Sequence, residues 1–365
     1  MPATITHLKL MTESVMHIGK RKDITPYTRT LASFFREPEF LGAACLGALG
    51  PDIYDYLPLF YKRGHLGAPP TEYLHSSGLK ESLVYLSDLT LKNSDYANEW
   101  SALQRAYFYG YVSHIVADQV FHPFIFYWTG FPRRDSKRSN GYYREQLLLF
   151  EYNMDIYFQY YHDRTENSIS VSDCLSETVT SRFARSLKEP LFKITSDLLQ
   201  HISMNHGTSR SISTVLPTSI RQKAILIMLG HITSIVKSVF TLKTSKHSKI
   251  GKVLSALQSR KILATDLSVT YPEPRRINKH VLNLHRERWF YPAGGSGLHY
   301  ESAEDLFKNA RDKTIQIWEM LDSHLYGNGP RLDSILHELE LNCYTGERDK
   351  GVNMMTLCNE YRLRF

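Results

Sequence analysis

Apolar residues recur at helical spacing along most of the chain, and no segment alternates apolar and polar residues as a half-buried strand would. Five segments show the helical spacing: residues 101–121, 142–162, 176–204, 219–242 and 302–325. Pro190 marks a kink or a break in the third of them, because proline cannot donate the backbone hydrogen bond that continues a helix. The pattern predicts an all-α protein built as a multi-helix bundle.

Local signals predict where two of these helices begin and end. Ser101 is the predicted N-cap of the first long helix, and Pro123 is its predicted end. Ser302 and Asp305 stand three residues apart, as the two partners of a capping box do.

Segments rich in glycine, proline or charge predict the loops: residues 64–73, 131–141, 163–173 and 241–252. The polar loop 163–173 is the predicted end of a first domain. We therefore expect a metal-binding helical core over residues 1–165, and a C-terminal helical extension over residues 166–365 that packs on the core or completes it.

Charge and cysteine content narrow the classes of partner and compartment. A net charge of +7 favours anionic partners such as phosphate groups, an anionic membrane surface or nucleic acid. The four cysteines are scattered, without the spacing of a disulfide framework or a zinc finger. The start of the chain lacks the pattern of a signal peptide, and the apolar run 224–240 is interrupted by Gly230, His231 and Lys237. These features predict a cytoplasmic protein without a transmembrane segment.

The densest candidate chemistry lies in "YGYVSHIVADQVFHP", residues 109–123. His114, Asp118 and His122 are four residues apart, so on a helix they form a line along one face. A regular helix puts the two histidines ~12 Å apart, whereas metal–ligand bonds are about 2.0–2.2 Å long. One ion cannot be held by both histidines, but Asp118 can bridge neighbouring ions. The alternative is a buried helix whose polar groups are satisfied by hydrogen bonds.

Further candidate ligands occur elsewhere in the first half of the chain. His7 lies near the start, and Asp52 follows Gly50-Pro51, a rigid turn that can aim its carboxylate inward. His75 precedes a predicted helix and competes with His65 for the same role. Glu151 and Asp155 are again four residues apart, on the second long helix.

The order of these motifs resembles that of the zinc-dependent phospholipase C family. The matching pieces are Thr6-His7, "GALGPDI" (47–53), Leu74-His75, "GYVSHIVADQVFHP" (110–123) and "EYNMD" (151–155). The resemblance covers roughly the first 165 residues. It implies an all-α bundle, like that of the trinuclear-zinc secreted nucleases, whose inner face holds up to three zinc ions.

The resemblance also implies a role for each candidate. One ion would be held by Asp52, His75, His114 and Asp118; a second by His7 and Asp118; a third by His122 and Glu151. Asp52 would orient or deprotonate the attacking water. Apart from the resemblance, the loop that follows the metal helix places Arg133, Arg134, Lys137 or Arg138 to meet an anionic head group, with an exposed basic turn as the favoured alternative. Asp155, one turn beyond Glu151, would supplement the ligands or contact substrate.

Two departures from the family pattern lower the expected metal content. The family has a histidine four residues before the glutamate, where this chain has Leu147. Secreted members also use the amine of a processed N-terminal tryptophan, and this chain begins "MPATITH". We therefore expect two zinc ions, with three as the upper limit.

Three functions remain open from the sequence. The first is a phospholipase C-like hydrolase that cleaves a phosphodiester bond, with a phospholipid head group as substrate. The second is a nuclease-like phosphodiesterase, which is less favoured because the chain shows no clear basic groove lined with aromatic residues. The third is a metal-binding or interaction protein with reduced turnover, an outcome that Leu147 favours.

Overall fold

The computed structural model describes residues 4–21, 26–56, 69–92, 99–131, 140–162, 271–294, 297–325 and 329–355, with a few isolated positions between 174 and 253. Within these residues the chain is helical, and its one bridge between extended segments joins Trp289 to His299. The prediction of an all-α protein is confirmed. The predicted helices over 176–204 and 219–242, the boundary near residue 165 and most of the predicted loops fall wholly or largely outside the described residues.

Nine α-helices make up this described part of the chain. They are α1 (Thr4–Lys20), α2 (Pro26–Phe34), α3 (Pro38–Ala48), α4 (Pro69–Leu74), α5 (Leu79–Lys92), α6 (Glu99–Thr129), α7 (Asn140–Tyr160), α8 (Ala303–Leu325) and α9 (Leu332–Leu339). Short 3₁₀ helices occupy Gly50–Tyr56, Pro274–Arg276, Lys279–Leu282 and Val352–Met354. No helix among these residues is both long and apolar enough to cross a lipid bilayer.

The predicted helices over residues 142–162 and 302–325 are confirmed as α7 and α8. The capping box of α8 is also confirmed, because the Asp305 carboxylate accepts from the Ser302 amide at 3.0 Å and the Asp305 amide donates to the Ser302 hydroxyl at 3.2 Å. Three boundaries were predicted wrongly, and the third is the end of α6. Helix α6 begins at Glu99, so Ser101 lies inside it, and α4 occupies the end of the predicted loop 64–73.

Helix α6 also continues through Pro123 to Thr129, beyond its predicted end. Proline costs an interior helix one hydrogen bond, yet packing can outweigh that loss. Here the turns after Pro123 are buried, with Phe124 and Phe126 at 0% and 1% exposure. Burying two phenylalanine rings gains about 1.5–3 kcal/mol each, enough to offset the roughly 3 kcal/mol penalty of the proline.

Helices α3 and α6 cross in backbone contact through a pair of glycines. A Cβ on Gly47 would lie 2.0 Å from the Tyr107 carbonyl oxygen, and one on Gly110 would lie 1.9 Å from the Ala44 carbonyl oxygen. No side chain larger than hydrogen fits at either position. The close crossing brings the end of α3 beside the middle of α6, where His114 lies one turn beyond Gly110.

Helix α8, from the second half of the chain, packs in the same hydrophobic core as the N-terminal helices. Its Trp318 indole donates to the Tyr109 carbonyl at 2.9 Å, and the Tyr109 hydroxyl donates to Asp322 at 2.8 Å. Trp318 and Tyr109 are both fully buried. In the described part of the chain, α8 therefore packs directly on α6.

Candidate metal centre

The approach to the site is set by the turn after α3. Gly50 has φ +54°, a backbone conformation that residues other than glycine rarely adopt. A Cβ at this position would lie 2.3 Å from Cγ of His114. Pro51 and Asp52 follow in the 3₁₀ helix, and the Asp52 carboxylate reaches to 3.5 Å from Nε2 of His75. The glycine lets this turn lie against the ring of His114, and the predicted inward aim of Asp52 is observed.

Asp118 lies at the centre of the cluster, and its two oxygens face different histidines. One oxygen lies 2.7 Å from Nε2 of His75 and 3.2 Å from Nε2 of His114. The other lies 3.2 Å from Nε2 of His7 and 3.9 Å from Nε2 of His122. All five side chains are nine-tenths buried or more. The predicted line of His114, Asp118 and His122 is therefore present, and Asp118 lies between two pairs of histidines.

Three of the histidines are oriented by backbone carbonyls. Nδ1 of His75 bonds to the Thr71 carbonyl at 2.7 Å, and Nδ1 of His114 to the Ala48 carbonyl at 3.1 Å. Nδ1 of His122 bonds to the carbonyl of Cys343 at 2.8 Å. A carbonyl can only accept, so each Nδ1 carries a proton, and Nε2 is the ring atom that can offer a lone pair to the cluster. Histidines that bind metals are held in this way.

The donor set fits a cation. Nε2 of His75 and Nε2 of His114 lie 3.1 Å apart, and both face the Asp118 carboxylate. Two lone pairs at that distance repel unless a proton or a metal ion lies between them. Nitrogen and carboxylate oxygen are ligands that zinc prefers. Within the described residues, two groups bring their ligand atoms within 4.8 Å of one another: His7, His114 and Asp118; and Asp52, His75 and His114.

The ionisation states of the cluster also suit metal binding. Burial raises the pKa of Asp118, but His122, His114 and His75 outweigh it and hold that pKa well below its usual range. Burial also raises the pKa of Asp52, but nearby positive charge, including that of His114 and His75, outweighs it and lowers this pKa overall. Both carboxylates are therefore ionised at neutral pH. Burial lowers the pKa of His122 to about 4, which keeps its ring neutral.

His75 behaves differently from His122. Burial lowers the pKa of His75, but the nearby carboxylates, chiefly that of Asp118, outweigh burial, so the net shift of this pKa is upward. A second proton therefore competes with a metal ion at Nε2 of His75.

The predicted pair of His122 and Glu151 is less complete. Glu151 is buried at 1% exposure on α7, yet no hydrogen bond or ion pair joins it to His122 in the described part of the chain. Burial, with the carboxylates of Asp52, Asp155 and Asp118, raises the pKa of Glu151 well above its usual range. Leu147 lies one turn earlier as a buried core residue. The third ligand set, His122 with Glu151, therefore stays a prediction.

Both carboxylate oxygens of Asp155 accept hydrogen bonds from neighbouring elements, and its contact with a metal ion or substrate stays a prediction. One of its oxygens accepts from the Thr6 amide at 2.9 Å and the Thr6 hydroxyl at 2.8 Å, and the other accepts from the Tyr271 hydroxyl at 3.1 Å. These bonds fasten the first turn of α1 to α7, so Asp155 positions the segment that carries His7. Arg133, Arg134 and His65 lie outside the described residues.

No pattern in the sequence points to the segment that begins at the last residue of α9, residues 339–345, which we call the strap. Besides the Cys343 carbonyl, it contributes the Tyr344 ring, stacked on His75 at 5.3 Å between centroids and 5.5 Å from His122. Gln119 reaches the strap from α6, and its amide donates to the Leu339 and Leu341 carbonyls at 2.7 and 2.9 Å. Backbone carbonyls leave no signal in a sequence, and "NCYTG" resembles an ordinary turn.

Fold and site together define a class of protein: an all-α bundle that gathers buried histidines and aspartates of metal-binding type around one helix. A sequence model of the family described as zinc dependent phospholipase C matches residues 6–198, more than half of the chain. The chain therefore belongs to this family, as the motifs predicted. No curated protein and no solved structure matches it.

Proposed function

We propose that this protein is a zinc-dependent hydrolase of phosphodiester bonds, with phospholipid head groups as its substrate class. The observation that carries the proposal is the arrangement around Asp118, where four imidazole Nε2 atoms lie within 4 Å of the two carboxylate oxygens. Membership of the zinc dependent phospholipase C family supports the same chemistry. The net charge of +7 suits an anionic substrate.

The ligands in this proposal are His7, Asp52, His75, His114 and Asp118, with His122 and Glu151 as weaker contributors. When bound, zinc lowers the pKa of a coordinated water and stabilises negative charge on phosphoryl oxygens. We assign about two ions, as the family resemblance implies, with the Asp118 carboxylate as the ligand that both ions share.

Asp52 is the proposed catalytic residue. Its carboxylate is ionised at neutral pH and lies 3.5 Å from Nε2 of His75 and 3.9 Å from Nε2 of His114. At this position it can accept a proton from a water molecule held among the histidines. Because the cluster is buried, solvent does not screen this charge, which strengthens its effect on a bound substrate.

The first experiment measures the metal content of protein purified without chelator or added metal. About two zinc ions per chain are expected. The zinc-loaded protein is then tested for release of the phosphorylated head group from phosphatidylcholine vesicles, with single-stranded DNA as the second substrate. Asp52→Asn should lower hydrolysis roughly 10²–10⁴-fold, as loss of a general base does. Asp322→Asn changes a buried carboxylate outside the site and serves as the matched control.

Each outcome separates the alternatives. Zinc well below one per chain, not restored by added metal, contradicts the metal centre itself. Full zinc occupancy with cleavage of DNA alone moves the substrate class to nucleic acid. Full occupancy without cleavage of either substrate favours the second candidate function, a metal-binding protein without turnover, which the missing histidine at Leu147 supports.

A further inference from the structure

The strap lies about 140 residues beyond the family-matched region 6–198, yet it contacts the proposed ligands directly. The carbonyl of Cys343 accepts from Nδ1 of His122 at 2.8 Å. The amide of the same residue donates to the His75 carbonyl at 2.9 Å. Cys343 therefore bonds to both His75 and His122, which are 47 positions apart in the sequence. Cys343 is fully buried, so water does not compete for these bonds.

The ring of Tyr344 adds a second contact to the same two histidines. It is stacked on His75, with 29° between the ring planes, and tilted by 32° against His122. Only 3% of Tyr344 is exposed. A rigid aromatic wall at this distance limits how far either imidazole can turn, since buried side chains are closely packed.

Gln119 fastens the strap to the metal helix. Its side-chain amide donates two hydrogen bonds, to the carbonyls of Leu339 and Leu341, and it is 3% exposed. Because Gln119 follows Asp118 directly on α6, the central carboxylate and the anchor of the strap are set by the same helix turn. Within the strap, Asn342 accepts from the Tyr344 amide at 2.9 Å, which holds the turn that presents the ring.

We propose that the strap is the outer shell of the metal centre: Cys343 and Tyr344 are positioning residues for His75 and His122, and Gln119 is their anchor. The inference rests on the metal centre of the proposed function but not on its substrate. Its physical basis is that a hydrogen bond to Nδ1 fixes the tautomer and the orientation of a ligating imidazole.

The test is zinc affinity of the full-length protein, measured by competition with a chromophoric chelator. Gln119→Met keeps the length of the side chain but removes both hydrogen bonds, and Tyr344→Leu removes the ring. Each should weaken zinc binding roughly 10–100-fold, the usual cost of losing an outer-shell partner. Tyr344→Phe restores the ring and should restore the affinity. Phe307→Leu, a buried ring change on α8 against Phe158, is the matched control and should leave the affinity unchanged.

A second measurement does not depend on how well the variants fold. Nitrogen-15 NMR of the histidine rings in the wild-type protein should show Nδ1 protonated at His122, both with and without zinc. Protonation at Nε2 instead would overturn the inference. So would Gln119→Met and Tyr344→Leu proteins that bind zinc as tightly as wild type. Failure of the wild-type protein to bind zinc would instead overturn the proposed function.

Discussion

The two oxygens of Asp118 serve two unlike halves of the candidate metal centre. On one side lie His75 and His114, at 2.7 and 3.2 Å, with Asp52 close by and both ring Nδ1 atoms bonded to carbonyls. On the other side lie His7 and His122, at 3.2 and 3.9 Å. Nδ1 of His7 has no hydrogen-bond partner within the described residues. We call these the tight half and the loose half.

The difference shows what outer contacts contribute to a metal site. Both halves have histidine nitrogens and a shared carboxylate, so the ligand types alone do not distinguish them. The tight half has both of its rings fixed by carbonyls, whereas in the loose half only His122 has such a bond, and that carbonyl belongs to the strap. We therefore expect zinc to bind the tight half first and more strongly.

Removing the residue that both halves share should have the largest effect. Asp118→Asn halves the negative charge available to the four imidazoles and removes the bridging carboxylate. Zinc affinity should fall by more than the roughly 100-fold that an outer-shell change costs. Mass-spectrometric metal analysis after dialysis measures this loss. Retention of the wild-type zinc content would show that Asp118 does not bridge.

Removing one histidine from each half tests the comparison directly. His75→Ala should weaken zinc binding at least about 10-fold more than His122→Ala does, because the first takes a ligand from the tight half. Chelator competition on the two variants measures the ratio. Equal losses, or a greater loss from His122→Ala, would mean that the halves are not ordered as the distances indicate.

Adding a ligand should reduce the difference between the halves. Leu147→His supplies the histidine that the family places there and should raise zinc bound per chain. Without zinc, the new buried polar group should lower the free energy of unfolding by about 1–3 kcal/mol, and zinc should restore it. Leu148→His is the control, since that buried residue packs in a separate cluster with Tyr152. It should destabilise the protein without adding zinc, as thermal unfolding and metal analysis together can show.

The change with the smallest expected effect on zinc binding concerns Asp155, which holds the start of α1 and so the position of His7. Burial raises its pKa to about 6, despite the hydrogen bonds from Thr6. A carboxyl group whose folded pKa exceeds its unfolded value favours the folded state at low pH and loses that contribution as the pH rises. Relative to Asp155→Asn, the wild-type free energy of unfolding should fall between about pH 4 and pH 6, by at most about 1.4 kcal/mol per pH unit. Urea unfolding of both proteins across this range measures the difference; a constant difference contradicts the shifted pKa.

The predictability of the site follows the range of its interactions. The line of His114, Asp118 and His122 depends only on the helical period, so spacing alone predicts it. Asp52 was predicted because Gly50-Pro51 is a local turn signal. The strap acts through a backbone carbonyl, a backbone amide and a ring, and the bond from His122 to Cys343 spans 221 positions. No local pattern carries that information.

The fold shows the same limit. The capping box of α8 and the span of α7 follow from neighbouring residues and were predicted correctly. The predicted end of α6 at Pro123 was wrong, because the aromatic packing that continues the helix comes from distant segments such as Trp289, whose ring lies 5.2 Å from that of Phe124. A local rule fails where tertiary burial outweighs it.

The hydrogen bond between His122 and Cys343 also has a consequence for folding during synthesis. A ribosome makes a chain from its N-terminus, so every proposed ligand, from His7 to Glu151, is synthesised well before Cys343 and Tyr344. A nascent chain therefore contains the proposed ligands before it contains the strap. Closing a loop of this length is slow and costly in entropy. We therefore expect durable zinc capture to be a late event, which follows translation of residues 339–345 and their folding back onto α6.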